Sequence, residues 1–457
     1  MARDIVRIGN GQGFWGDSVD APARLVREGP LDYLTLDYLA EVTMSIMQKL
    51  RRRSPDAGYA TDFVDLIRSV LPELRDRSIR VVANAGGVNP AACLRALSKA
   101  ARETGVTGLK VGSVSGDDIL PRLDAILASG VPLANMDDGR PLSEIRSRVE
   151  AANVYLSSFP IAEALGAGAS IVVTGRSTDP GLVLGPLIHE FGWGRSEWDH
   201  LASGTVAGHI LECGAQCTGG NFSRWWEVEG WDHLGYPIAE ARSDGSFTIT
   251  KHEGTGGLVT VDTVIEQLVY EMGDPSRYLT PDVIAEFTSI RLRQEGKDRV
   301  AVSGIRGRPA TDTYKVSISY LDGFAATGQL TISGPDATEK AKVAADALWG
   351  RLKRAGLAYE ETMTELVGTG VCWGGATAGA ARVAAEPPEV VLRVGVKDHD
   401  SNKVDRFGRE IAPLVTSGPP GVTGFAGGRP KPREVVAFWP ALIPKDLVRA
   451  EVRVEQL

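Results

Sequence analysis

SIVVTGRSTDP, residues 170–180, decides the fold. Residues 170–174 form a short β-branched run without polar alternation, the pattern of a strand covered on both faces. Pro180 then stands at the favoured first position of a helix, with Asp179 before it as N-cap. A buried strand that turns directly into a helix is half of a βα unit, and the unit recurs upstream. Residues 5–8, 33–36, 79–83, 108–111 and 132–134 read as further buried strands. Residues 39–52, 61–75, 90–103, 118–128 and 141–153 read as the helices between them. This repeat predicts an α/β fold: a doubly wound, mostly parallel, Rossmann-like sheet spanning residues 1–311, with right-handed crossovers.

Beyond residue 311 the order changes. Residues 314–321 and 324–332 read as a hairpin turned at Asp322-Gly323, and 337–355 as a long amphipathic helix. A strand over 390–396, a helix over 405–415 and strands over 434–438 and 448–454 complete a smaller α+β domain of ferredoxin-like kind, residues 312–457. Residues 416–433 are half Gly and Pro and form a loop, either a flap over an active site or a plain surface segment.

Composition bounds the function. The 457 residues are 43% hydrophobic and 24% charged, with a net charge of −8. That balance excludes a nucleic-acid or anionic-membrane surface as the natural partner. No apolar run approaches the roughly 20 residues of a membrane span, and no signal-peptide pattern opens the chain. Four cysteines are too few for a disulfide scaffold, so the cytoplasm is the expected compartment.

In open α/β sheets ligands bind at the carboxyl ends of the strands. Asn10, Asp37, Asn84, Ser113, Asp137 and Arg176 fall at such ends. Arg176 beside a helix N-terminus suits a carboxylate or phosphate. Thr218-Gly219-Gly220-Asn221 and Lys251-His252-Glu253-Gly254 are glycine-rich turns. The amides of Gly219 and Gly220 with Asn221 suit an oxyanion, and His252 with Glu253 suits general acid–base work. Gly11-Gln-Gly-Phe-Trp-Gly16 spells the dinucleotide fingerprint, with Asp37 about 20 residues on; alternatively it is a turn that sets Trp15 and Asp17 near a substrate. His209, Cys213 and Cys217 are spaced as one helical stripe, open either to a soft metal or to plain packing. No redox cofactor or metal is expected from these patterns.

Seven stretches carry a family resemblance: RIG (7–9), GFWGD (13–17), DYLTLDYLAEVT (32–43), NAGGVNP (84–90), VTGRSTDPGLVLGP (173–186), GHILECGAQCTGGNF (208–222) and KHEGTGG (251–257). They resemble the acyclic terpene utilisation AtuA family over residues 5–320, and the remainder looks like the ferredoxin-like part that accompanies many such proteins. The resemblance implies a bacterial cytoplasmic enzyme, encoded among genes that degrade branched acids as coenzyme A thioesters.

The combined expectation is a hydro-lyase acting on a small organic acid or its acyl-CoA thioester through an enolate-like intermediate. His252, Glu253 and Asn221 would be catalytic. Arg176, Asp179, Gly219, Gly220, Asp37, Glu41, Asn84 and Trp15 would bind substrate. A homo-oligomer is the expected assembly, with a small partner subunit possible in principle. The rival expectations are an NAD(P)-dependent oxidoreductase and a non-catalytic subunit of a CoA-acting complex.

Overall fold

The computed structural model describes residues 4–372, 374, 387–424 and 427–457. Its strands are β1 Val6–Asn10, β2 Tyr33–Leu36, β3 Arg80–Ala83, β4 Lys110–Ser115, β5 Val149–Val154, β6 Ile171–Thr174, β7 Ile238–Ala241, β8 Phe247–Thr250, β9 Tyr278–Leu279, β10 Val283–Glu286, β11 Arg291–Gly296, β12 Arg299–Ser303, β13 Arg306–Pro309, β14 Thr313–Ser333, β15 Glu361–Val367, β16 Glu389–Asp398, β17 Arg433–Pro444 and β18 Glu451–Gln456. The α-helices are α1 Ala21–Glu28, α2 Glu41–Arg53, α3 Thr61–Asp76, α4 Pro90–Thr104, α5 Leu123–Ala128, α6 Phe159–Gly166, α7 Gly181–Phe191, α8 Trp198–Leu211, α9 Val261–Val269, α10 Ala337–Arg354, α11 Ser401–Ile411 and α12 Leu414–Ser417. The chain divides into two compact units, residues 1–319 with 438–457, and residues 320–437.

The first unit is mixed α/β. Its ten-stranded sheet runs β11-β12-β8-β7-β1-β2-β3-β6-β4-β18. The pairings from β1 through β2, β3 and β6 to β4 are parallel. Those of β7, β8, β11 and β12 on one flank, and of β18 on the other, are antiparallel. The mostly parallel sheet expected from the βα repeat is therefore mixed. Side-chain alternation shows what covers its centre. Leu34 and Leu36 pack into one core with Leu25 of α1, Phe63 of α3 and Leu97 of α4. Tyr33, on the opposite face, donates to Glu190 of α7 at 2.6 Å.

Three expected elements form differently. Residues 132–134 are not a strand; Trp439 donates to the Leu133 carbonyl at 3.0 Å and holds that segment as a loop. Residues 141–153 make two short 3-10 turns and then β5 instead of a helix. Val149, Ala151 and Val154 are buried there, and the β-branched pair suits a strand better than a helix. The strand expected near 448–454 is β18, paired with β4 of the first unit's sheet.

In the second unit α10 and α11 pack on β16, closing a core of Leu330, Ile332, Leu348, Leu392 and Phe407. No hairpin turns at Asp322-Gly323, because β14 continues through both residues. Gly323 has φ +85°, and a Cβ there would lie 2.9 Å from the Asp398 carbonyl oxygen. The glycine permits close approach to β16, not chain reversal. The expected Gly/Pro-rich loop begins after α12, which ends at Ser417, and residues 425 and 426 of it lie outside the described residues. Among the described residues no helix is long and apolar enough to cross a membrane.

One close contact sets the position of the site. Gly208, in the last turn of α8, abuts Pro180 so tightly that a Cβ would lie 2.5 Å from the Pro180 Cα and carbonyl oxygen. Gly208→Ala is expected to cost about 1–3 kcal/mol by overpacking. Urea unfolding checks this, and an unchanged midpoint would contradict the close approach.

Candidate functional site

Asn10 ends β1 and spends its amide on the end of α8, donating to the Leu211 carbonyl at 2.6 Å and to that of Glu212 at 3.3 Å. Exposed helix-end carbonyls need such donors. This bond brings Glu212 to the carboxyl edge of the parallel strands, where Asp37 follows β2 and Arg176 follows β6. Between them opens a cavity of about 560 Å3, lined among others by Asp17, Asp37, Arg176, Asp179, Glu212, Cys213, Gln216, Gly220, Asn221, Tyr236 and Glu271.

The cavity is acidic. Among the described residues five carboxyls line it, and Arg176 is the sole basic residue there. Arg176 does not present itself to a ligand anion: its side chain is 1% exposed. Its guanidinium donates to Asp179 Oδ1 at 2.6 Å and to the Leu39 carbonyl at 2.9 Å, and lies 4.2 Å from the Tyr155 ring centroid. Helix α7 begins at Gly181 with Pro180 at its N-cap, because the Asp179 carboxylate is turned back to the guanidinium three residues earlier. The carboxylate site expected at this turn is thus occupied by the protein's own acid.

Asp37 is buried and accepts hydrogen bonds from Asn84 Nδ2 at 2.6 Å and from the Leu39 amide at 3.0 Å. Burial, and then the nearby Asp179 charge, pushes its carboxyl well above the usual range. Asn84 is not part of the lining; it orients Asp37 and also accepts from the Tyr38 amide at 2.7 Å. Burial likewise raises Glu212, partly offset by His209, whose Nδ1 lies 3.2 Å from Glu212 Oε1. Glu212 Oε2 is buried without a hydrogen-bond partner. Desolvation favours the neutral carboxyl, so both groups hold protons at higher pH than an exposed acid. Burial pushes the Cys213 thiol up to about 12, which removes it as a nucleophile at neutral pH.

A second cavity, about 380 Å3, shares Asp179, Glu212 and Glu271 with the first. Its wall mixes Tyr155, Pro180, Tyr278, Leu279, Pro281 and Leu442 with Thr178, Thr280, Thr311, Thr313 and Lys315. Two residues at the first cavity, Asn221 (φ +57°) and Glu271 (φ +53°), are non-glycines in left-handed backbone. Such conformations cluster at functional sites.

Other expected site residues lie elsewhere or serve other ends. His252 and Glu253 line a separate cavity of about 820 Å3, with Lys251, Lys297 and Arg299. Its described residues come from the antiparallel flank and from the end of α1, and neither Asn221 nor Arg176 is among them. His252 lies 3.4 Å from Glu28, and burial lowers its imidazole. The Gly219 and Gly220 amides donate to the Gln216 and Ala215 carbonyls at 3.4 and 2.9 Å, which commits both to the turn itself. Trp15 donates to Asp62 at 2.9 Å and is not among the lining residues, where its neighbour Phe14 stands instead. Glu41 opens α2, and its side chain lies outside the described residues.

The fingerprint Gly11–Gly16 also serves the fold. A Cβ on Gly13 would lie 2.8 Å from the Cys213 carbonyl carbon and 2.9 Å from the Gly214 nitrogen. The chain's own backbone fills the close approach a pyrophosphate would need. The stripe of His209, Cys213 and Cys217 does not form, because α8 ends at Leu211. Among the described residues no group of three or more His, Cys, Asp or Glu could hold a metal ion. Glu212, Glu271 and Tyr236 escaped sequence reasoning, whereas Asp17, expected near a substrate, does line the cavity. Glu212 lay next to a motif already singled out, and that proximity was the available signal.

The sequence profile described as acyclic terpene utilisation family protein AtuA matches residues 6–454. No protein of curated function matches the chain.

Proposed function

The chain belongs to the acyclic terpene utilisation AtuA family, and from that premise we propose a catabolic lyase of the hydratase or dehydratase type whose active site is the acidic cavity. Glu212 and Asp37 are its proton carriers, in place of His252 and Glu253. The carrying observation is the pair of buried, desolvated carboxyls facing one cavity. Removing a proton beside a carbonyl and protonating a leaving hydroxyl both need such groups with raised affinity for protons. Asn221 and Gln216 line the same cavity, and their amides are the donors for an enolate-like oxygen.

Charge narrows the substrate. A free carboxylate inside the cavity would meet five acids and a guanidinium already paired. An uncharged acyl thioester avoids that repulsion, so the acyl-CoA reading is preferred to a small free acid. Pro180, Leu279, Pro281 and Leu442 offer the acyl chain an apolar wall. The Rossmann-like description of the parallel strands and the ferredoxin-like description of the smaller unit belong to this same proposal. So does a cytoplasmic homo-oligomer, for which the exposed Trp225, Trp226 and Trp231 are a face to examine.

The test is turnover of acyl-CoA thioesters and their hydroxylated or unsaturated counterparts. Glu212→Gln is expected to lower kcat about 10²-fold, the scale of one general acid–base group, and His252→Ala to leave it near normal. The opposite order would return catalysis to the other cavity.

A further inference from the structure

We infer that His209 and Glu212 work as one unit that shares a single proton between Nδ1 and Oε1, with the Glu212 carboxyl exchanging protons with the cavity. This deepens the proton-transfer reading and rests on it.

The tautomer follows from the hydrogen bonds. His209 Nε2 lies 3.1 Å from the Gln267 carbonyl oxygen, which only accepts, so Nε2 carries a proton in every protonation state. A neutral ring then has a bare Nδ1. Glu212 Oε1 lies 3.2 Å from that nitrogen, and two bare acceptors would repel at this distance. Exactly one proton between them makes the contact favourable, written either as carboxyl with imidazole or as carboxylate with imidazolium.

The surroundings hold the pair in place. His209 is 2% exposed. Gln267 returns a hydrogen bond from its amide to the His209 carbonyl at 2.9 Å. The Tyr278 hydroxyl lies 3.5 Å from Nδ1, and the Tyr278 and Phe287 rings flank the imidazole at centroid distances of 5.3 Å. The other titratable groups facing the pair are Cys213, Asp179 and Glu271. No lysine or arginine is among them; Arg176 is paired to Asp179. The neighbouring acids therefore favour holding protons here.

A balanced cycle results. When the Glu212 carboxyl takes a proton from substrate, its own proton passes to Nδ1, and the pair becomes a carboxylic acid beside an imidazolium. Asp37 gives its proton to the leaving hydroxyl, which departs as water. The extra proton of the pair then returns to Asp37 through the water of the cavity, the Nδ1 proton going back to the Glu212 carboxyl, and protons balance over the cycle. His209 is a positioning residue in this scheme, because it reaches substrate through Glu212.

Imidazole nitrogen NMR tests the unit without a substrate. The chain holds six histidines, and the signal missing from His209→Gln identifies His209. The expected spectrum has Nε2 protonated throughout. In Glu212→Gln the His209 titration is expected to move to lower pH, because burial then acts without the carboxylate. A ring protonated only on Nδ1, or a titration unmoved by Glu212→Gln, would overturn the unit. In turnover, His209→Gln keeps a donor for Gln267 and is expected to lower kcat about 10²-fold with KM unchanged, flattening one limb of the pH profile. Normal kcat and profile in that variant would overturn it too. Loss of the proposed activity assignment alone would leave the NMR result standing, so the two readings fail separately.

Discussion

Arg176→Met is expected to destabilise the fold by about 3 kcal/mol, the scale on which removing one member of a buried ion pair leaves a charge uncompensated. Three partners lose the guanidinium at once: the Asp179 carboxylate at 2.6 Å, the Leu39 carbonyl at 2.9 Å and the face of Tyr155. Asp37 loses the cation that moderates its burial. Methionine fills much of the volume, so the loss is electrostatic and is smallest in acid, where Asp37 is protonated. Urea unfolding at neutral and acid pH measures both effects. A loss below about 1 kcal/mol at neutral pH would mean that the guanidinium only binds ligand, returning the anion site to this turn.

Asp37→Asn is expected to separate activity from stability. The folded state raises the proton affinity of Asp37 through burial and then Asp179. A group of this sign contributes stability that is fully present below the unfolded carboxyl value and is lost as pH rises through the folded one. Asparagine is neutral at every pH and keeps an oxygen for Asn84 and the Leu39 amide. The variant is therefore expected to equal the parent in acid and to gain on it toward neutrality. Turnover is expected to fall about 10²–10⁴-fold. A variant that loses stability at neutral pH, or keeps its turnover, would remove Asp37 from the acid–base machinery. Enhanced stability with lost function is the signature of a strained site.

Much of the parallel centre was legible because its strands bury both faces. Tyr33–Leu36 and Ile171–Thr174 are apolar enough to show that without a partner in view. The antiparallel flank was harder to read. Ile238–Ala241 and Phe247–Thr250 are four-residue strands between two glycine-rich turns, too short to show a period of their own. The break at residues 132–134 depends on a bond from Trp439, about three hundred residues away, and no local pattern reports such a contact. At the site, Asp37, Arg176, Asp179, Gly220 and Asn221 were all anticipated and do line one cavity. The pairing of Arg176 with Asp179 was not legible, since whether the guanidinium meets a ligand or Asp179 depends on a side-chain direction.

Residue pattern alone determined that this chain builds an α/β sheet with polar groups gathered at its strand ends, and its motifs determined the family. Those properties follow from local burial and turn chemistry, which short stretches carry in full. Tertiary structure decided which strand ends share a cavity and which polar groups stay unpaired. It turned Arg176 inward, moved His252 to a separate cavity, and brought Glu212 to the strand edge through Asn10. These outcomes rest on desolvation and on contacts between distant segments, and neither has a local signature in sequence.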